Sequence, residues 1–176
     1  MQLTRALPFV ILLTIPFAGC ASPYPDIKVE TEAHAKVQFD GYKTYKWAAA
    51  AAVIRDAVGT WNAPDLDIGS EIMFLTNREL RGRGLVEVVD SPDLAVIYAI
   101  GVDMEALDVV VDKKSGVETK TSSPKGGVLI LLIEPDTRRV VWAGRATADL
   151  SEKPTPELAK KRLDYAISQL FKKYGK

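Results

Sequence analysis

The alternation of apolar and polar residues predicts two β-strands near the start of the chain. Residues 27–39 place apolar or small side chains at every second position, as a half-buried strand requires. Asp40-Gly41 then supplies a turn, and residues 42–47 are rich in strand-forming aromatic side chains. We therefore expect residues 27–39 and 42–47 to form a β-hairpin. The alanine run and the turn-forming residues that follow predict a loop over residues 48–64.

Helical periodicity predicts a first amphipathic helix in the middle of the chain. It begins near Asp65 or Asp67, acidic residues suited to a helix N-terminus, and ends at Gly82 or Gly84. Its apolar positions fall on one stripe, which predicts a helix packed in a core rather than a cofactor site. The stripe, with one threonine among its members, comprises Ile68, Ile72, Met73, Leu75, Thr76 and Leu80.

A second amphipathic helix is predicted at the end of the chain. Thr155 is suited to the N-cap, Pro156 to the first helical position, and Gly175 to the stop. The opposite, lysine-rich face also fits a helix that lies on a membrane surface. We favour packing on the sheet over binding to a membrane, because one face of the predicted sheet has to be covered by a helix. The apolar stripe comprises Ala159, Leu163, Ala166, Ile167, Leu170 and Tyr174.

The remaining apolar runs predict the centre of a β-sheet. A strand over Leu94–Val102 is apolar on both faces and therefore central. The turn Glu134-Pro135-Asp136-Thr137 joins two further strands into a hairpin. The polar residues 112–127 predict a loop or an exposed hairpin. The remaining strands are Leu85–Val89, Val128–Ile133 and Arg138–Ala148. We predict an α+β fold, an antiparallel sheet of about five or six strands with two helices packed on one face.

The N-terminus carries a targeting signal. Arg5 precedes an uncharged apolar stretch over residues 6–15, and Phe17-Ala18-Gly19-Cys20 follows. Cys20 is the only cysteine of the chain. The arrangement resembles a bacterial lipoprotein signal, whose lipobox ends at a cysteine that receives diacylglycerol and a further acyl chain such as palmitate. Phe17 departs from that pattern, because leucine, valine or isoleucine is usual there.

An ordinary signal peptide and an uncleaved membrane anchor are the alternatives for the N-terminus. Pro8 and Pro16 argue against an anchor, and the apolar part is shorter than the roughly 20 residues that cross a bilayer. We predict a lipoprotein signal peptide over residues 1–19, a lipidated tether over 20–26 and a single α+β domain over 27–176.

The charge balance excludes nucleic acid as a partner. The chain has 23 basic and 23 acidic side chains, and a nucleic-acid surface needs a basic surplus. Arg78, Arg81 and Arg83 cluster, but Glu79 and Glu87 alternate with them, so we interpret the cluster as the solvated side of a helix end.

The residues required for enzyme catalysis are scarce. His34 is the only histidine and lies in an alternating segment, and no Gly-x-Ser-x-Gly motif is present. The only cysteine is assigned to the lipid, and zinc would lack its usual histidine and thiolate ligands. We therefore expect a protein that is not an enzyme and carries no cofactor.

Acidic residues and tryptophans supply the remaining candidate sites. Asp103, Glu105 and Asp108 are close enough in sequence to consider a cation site or an acid–base pair, but a solvated acidic edge is favoured. Trp61 lies in a polar segment and is a candidate for partner contact. The other tryptophans, Trp47 and Trp142, are expected to fill the core.

Short motifs in a fixed order give the chain a family resemblance. It resembles the DUF4136 family of bacterial envelope lipoproteins over nearly the whole length after Cys20. The resemblance implies an envelope lipoprotein with an α+β domain, and it carries over no catalytic or binding residue. The motifs are residues 42–47, 81–85, 90–98, 127–130 and 141–144.

These observations predict an accessory lipoprotein of the cell envelope. Its partners would be the membrane, through the lipid anchor, and another envelope protein. Two alternatives are a lipidated carrier of a small apolar ligand held between sheet and helices, and an enzyme based on the acidic segment. Ala21 follows the cysteine, and by resemblance to bacterial lipoproteins a neutral residue there implies attachment to the outer membrane, facing the periplasm.

Overall fold

The computed structural model describes residues 22–35, 37–54, 64–102, 125–150 and 154–174. These residues form six strands and two α-helices, in the predicted order. A single 3-10 turn at Phe39–Gly41 separates the first two strands. The elements are β1 (Lys28–Ala33), β2 (Thr44–Ile54), α1 (Ile68–Arg81), β3 (Val86–Glu87), β4 (Leu94–Val102), β5 (Lys125–Glu134), β6 (Arg139–Asp149) and α2 (Pro156–Phe171).

The strands form one mixed sheet in the order β1-β6-β5-β4-β2-β3. Three neighbouring pairs are antiparallel, whereas β2 runs parallel to both β4 and β3. The predicted α+β class is therefore confirmed, with a sheet that is mostly antiparallel. The parallel pairing follows from α1, which carries the chain across the sheet between β2 and β4.

The predicted hairpin of residues 27–39 and 42–47 is wrong. β1 pairs with β6, whereas β2 pairs with β3 and β4 at the other side of the sheet. The 3-10 turn at Phe39–Gly41 lies between them and does not reverse one strand onto the other. The reason is general: alternation identifies a half-buried strand but not its partner.

The predicted loop at residues 48–64 is wrong in its first half. β2 continues through the alanine run to Ile54, paired with β4 as far as Val102. Alanine has little intrinsic preference for strands. The run forms a strand because its backbone groups pair with those of a central strand. Residues 55–63 lie outside the described structure, as do residues 103–124, and residues 125–127 of the other predicted loop belong to β5.

Both helices have the predicted N-terminal caps, whereas α2 ends at Phe171, before the predicted stop at Gly175. The Asp67 carboxylate accepts from the Ser70 backbone N–H at 3.1 Å, and Thr155 Oγ1 accepts from Leu158 N–H at 3.2 Å. In α2, Ile167 and Leu170 are fully buried, so its apolar stripe packs on the sheet. No helix within the described ranges is both long and apolar enough to cross a membrane.

Trp142 organises the core at the C-terminal end of α2. Its ring lies 5.1 Å from that of Phe171 and 6.0 Å from that of Tyr174, measured between centroids. Gly144 is required next to it, because an added Cβ would lie 2.4 Å from Cη2 of the indole. Trp142 is therefore a core residue, as predicted.

The arginine cluster of α1 binds α2 rather than solvent alone. Arg78 donates to Asp164 Oδ1 at 2.6 Å and to Ser168 Oγ at 2.9 Å, and Arg83 donates to the Phe171 carbonyl at 2.5 Å. Glu79 accepts from both arginines. Arg81 is 63% exposed, as the interpretation of a solvated helix end requires, whereas Arg78 and Arg83 join the two helices.

Candidate functional site

An apolar cavity lies between the sheet and the helices, where β4 ends and β5 begins. Its volume is about 180 Å³. The sheet supplies the floor, the N-terminal half of α2 supplies the roof, and Ile68 and Ile27 close the sides. The principal lining residues are Ile100, Val102, Gly126, Val128, Ala146, Ala148, Leu150, Ala159, Leu163 and Ala166.

Small side chains on the sheet create the cavity. Gly126 pairs with Val102 on one side and with Ala148 on the other, in the row of the sheet beneath α2. The Leu150 side chain occupies part of the space, since a Cβ on Gly126 would lie 2.5 Å from its Cδ2 atom. A large side chain in this row would fill the gap that the helix leaves.

The size and polarity of the cavity favour an apolar occupant. An engineered cavity of about 150 Å³ with aliphatic and aromatic walls stays dry and binds benzene, so this space holds a single ring or a short hydrocarbon segment. Most of its wall is aliphatic, with Arg162 and Asp149 at one side, so the apolar part of the space offers a polar ligand no replacement for its hydrogen bonds to water.

An ion pair lies at the cavity wall. Both terminal nitrogens of Arg162 donate to the Asp26 carboxylate, and Arg162 also donates to the Asp149 carbonyl at 3.3 Å. The hydrogen bonds from Arg162 hold the pKa of Asp26 below its ordinary value. The pair is therefore intact at neutral pH and weakens only as the pH falls through that lowered pKa.

Residues 22–26, which belong to the predicted tether, lie against α2. The Ser22 and Tyr165 hydroxyls form a hydrogen bond of 2.7 Å. The Tyr24 ring meets the Tyr165 ring edge to face at 5.3 Å, and the Arg162 guanidinium lies 5.5 Å from the Tyr24 ring centroid. We call residues 22–26 the docked segment.

The residues predicted from sequence to carry sites lie elsewhere. Cys20, Trp61, Asp103, Glu105 and Asp108 fall outside the described residues, so their roles stay predictions. His34 is exposed directly after β1. Among the described residues, no group of three histidine, cysteine or acidic side chains could hold a metal ion.

Sequence reasoning missed the residues around the cavity. Neither Gly126 nor Arg162 was among the residues that the sequence analysis selected. A usable signal was present in the four small residues Ala146, Ala148, Ala159 and Ala166, which leave space where a sheet and a helix face each other. Which of them face each other depends on the register, which the sequence does not specify.

Comparisons with known proteins support the fold. A family model described as "Domain of unknown function (DUF4136)" matches residues 29–174. No curated protein matches the chain.

Several solved structures are similar to this chain. A DUF4136 family protein from Bacteroides thetaiotaomicron is 12% identical, with a TM-score of 0.52 over 82% of this chain and 95% of that one. A PDZ domain protein from Parabacteroides distasonis is 16% identical, with a TM-score of 0.50 over 86% of this chain and 38% of that one. The PelC dodecamer from Paraburkholderia phytofirmans is 15% identical, with a TM-score of 0.47 over 82% and 94%. The likeness to the first two structures shows the fold alone, since both are under 25% identical to this chain.

Proposed function

We propose, from the premise that this chain belongs to the DUF4136 family, whose function is unknown, that it is a lipid-anchored, non-enzymatic protein of the cell envelope that binds a small apolar molecule. The observation that carries this proposal is the cavity of about 180 Å³ beneath α2. A mostly apolar space with a few polar groups at its edge is the usual form of a small-molecule site, whereas a packed core leaves few voids larger than water.

The affinity for an apolar ligand follows from the free energy of transferring its carbons from water into the cavity. About six apolar carbons fit a space of this size, and each buried methylene contributes about 0.8 kcal/mol. The gross gain is about 5 kcal/mol, which corresponds to binding in the sub-millimolar range. A longer acyl chain that continues through the mouth of the cavity would bind more tightly.

Filling the cavity tests the proposal. Ala148→Leu places an isobutyl group on the cavity floor, where it excludes about three carbons of the ligand. At about 0.8 kcal/mol per methylene, the dissociation constant for an apolar probe is expected to rise roughly 30- to 150-fold. The probe is a medium-chain fatty acid, titrated against the folded protein.

Ala143→Leu is the matched control. It makes the same substitution in the same strand, β6, at a position outside the cavity lining. We expect it to leave the dissociation constant unchanged. Equal affinity of both variants for the probe, with both folded, would show that the cavity is not the binding site.

Lipid attachment is tested at Cys20. Cys20→Ser is expected to abolish lipidation and move the protein from the membrane pellet to the soluble fraction, because two acyl chains supply the stable anchor. Phe17→Leu restores the usual lipobox residue and is the control that should stay membrane-bound. Recovery of the wild-type protein solely in inner-membrane fractions would contradict the outer-membrane assignment.

A second candidate function is support of another envelope protein. The sheet face opposite the helices is apolar at its centre, where Ile97 pairs with Leu131 and Ala99 pairs with Leu129. The Glu30–Arg145 ion pair borders this patch. A contiguous apolar surface with a polar border is typical of a protein contact. Copurification after mild crosslinking in the native membrane tests this candidate.

A further inference from the structure

The outward face of α2 has a composition unlike that of a simple solvated helix. Leu158, Lys161, Tyr165 and Gln169 follow at intervals of three or four residues and therefore share one side of the helix. This side is opposite the buried Ile167. Leu158 is 38% exposed although it is a leucine. We call these four residues the outward face.

The docked segment lies on this same face. Tyr24 packs on Tyr165, and the Ser22 and Tyr165 hydroxyls share a hydrogen bond. Asp26 pairs with Arg162, which is adjacent to Lys161. These three contacts fix the direction in which the chain leaves the domain toward its N-terminus.

The length of chain beyond the docked segment is short. Cys20 is two residues before Ser22, and an extended chain spans at most about 3.6 Å per residue. The backbone of the predicted lipidation site therefore lies within about 7 Å of the backbone of Ser22. A lipid inserted from that position brings the outward face to the level of the headgroups.

We propose that the outward face of α2 lies on the bilayer that holds the anchor, an anionic phospholipid surface, with the docked segment as a fixed joint between the anchor and the domain. This inference rests on the lipid anchor of the proposed function. The domain then has one defined orientation relative to the membrane, which a flexible tether would not give it.

The side chains of the face suit this partner. Tyrosine is enriched at membrane interfaces, and here Tyr24 of the docked segment packs on Tyr165. Leu158 supplies an apolar contact below the headgroups. Lys161 is exposed and attracts anionic lipid, and Lys172 follows on the same side after the helix ends. The apolar stripe of α2 is already buried on the sheet, so only this opposite side is available to a membrane.

Site-specific labelling of the full lipidated protein tests this arrangement. Lipidation consumes the only native cysteine, so Gln169→Cys and Asp136→Cys each introduce a single reactive thiol. Gln169 lies on the outward face, whereas Asp136 lies in the turn between β5 and β6, at the end of the sheet away from the cavity. Each thiol carries an environment-sensitive fluorophore in vesicles of phosphatidylglycerol and phosphatidylethanolamine that contain a headgroup quencher.

We expect quenching of the label at position 169 and none at position 136. Asp26→Ala in the Gln169→Cys background breaks the joint and is expected to lower the quenching to the level of position 136. Glu30→Ala is the control, because it removes another arginine–carboxylate ion pair, with Arg145, and leaves the docked segment intact.

The outcomes separate this inference from the proposed function. Equal quenching at the two positions in membrane-bound protein would overturn the orientation and leave the anchor and cavity standing. Loss of the protein from the vesicles would contradict the anchor itself, and the orientation with it. Unchanged quenching in Asp26→Ala would overturn the role of the joint.

Discussion

Truncating Trp142 to alanine is expected to lower the free energy of unfolding by about 3–5 kcal/mol, a large part of the stability of a typical domain. Trp142 is 1% exposed and contacts the rings of Phe171 and Tyr174. Its loss removes the transfer energy of the indole and opens a space that Gly144, directly beneath it, cannot fill. Denaturant unfolding of residues 21–176, followed by circular dichroism, measures the change.

Two further variants control this experiment. Val140→Ala truncates a side chain in the same strand that is 42% exposed, and it should cost less than about 1 kcal/mol. Trp142→Phe keeps an aromatic ring and removes an indole N–H that has no hydrogen-bond partner in the described structure, so it should cost much less than alanine. Equal midpoints for Trp142→Ala and Val140→Ala would contradict the packing described above.

Replacing Ile167 by alanine is expected to cost about 2–5 kcal/mol. Ile167 is fully buried at the centre of the face by which α2 covers the sheet. Several methylene and methyl groups lose their apolar environment, and the helix cannot close the gap because its caps and the contacts with Arg78 hold its position. The same unfolding assay measures this effect.

Leu158→Ala is the matched control on the same helix. It removes aliphatic atoms from the outward face, where the side chain is 38% exposed, and should change the midpoint little. An unchanged midpoint for Ile167→Ala, together with vesicle binding of residues 21–176 that this variant weakens, would favour a helix whose apolar stripe faces the membrane.

Short motifs identified the family here because they occur in a fixed order along the chain. The motifs at 42–47, 81–85 and 90–98 were each weak, yet the family model matches residues 29–174 and confirms the resemblance. Two of these motifs owe their form to local structure. Arg81-Gly82 ends α1, and the Asp93 carboxylate accepts hydrogen bonds from the backbone of Lys43 and Thr44.

The cavity was predictable only in outline. A ligand between sheet and helices was one of the alternatives that the sequence left open, but no residue could be assigned to it. The space arises where Gly126 and Ala148 of the sheet come beneath Ala159 of α2. Small residues are common in strands and helices, so their coincidence becomes visible only when register and helix position are known.

The sequence by itself determined the elements that depend on neighbours along the chain. Helix caps at Asp67 and Thr155, the helical stripes and the β5–β6 turn rest on interactions within a few residues, and all are present. The lipobox is likewise a local pattern, and its role stays a prediction.

Only the tertiary structure decided which distant segments meet. β1 pairs with β6 rather than β2, the alanine run becomes a strand beside β4, and residues 22–26 lie on α2 instead of extending freely. Each outcome is set by backbone groups and side chains that need a partner far away in the chain. The periodicity of apolar residues predicts that one face of a helix or strand is buried. The packing of the whole chain determines which other element covers that face.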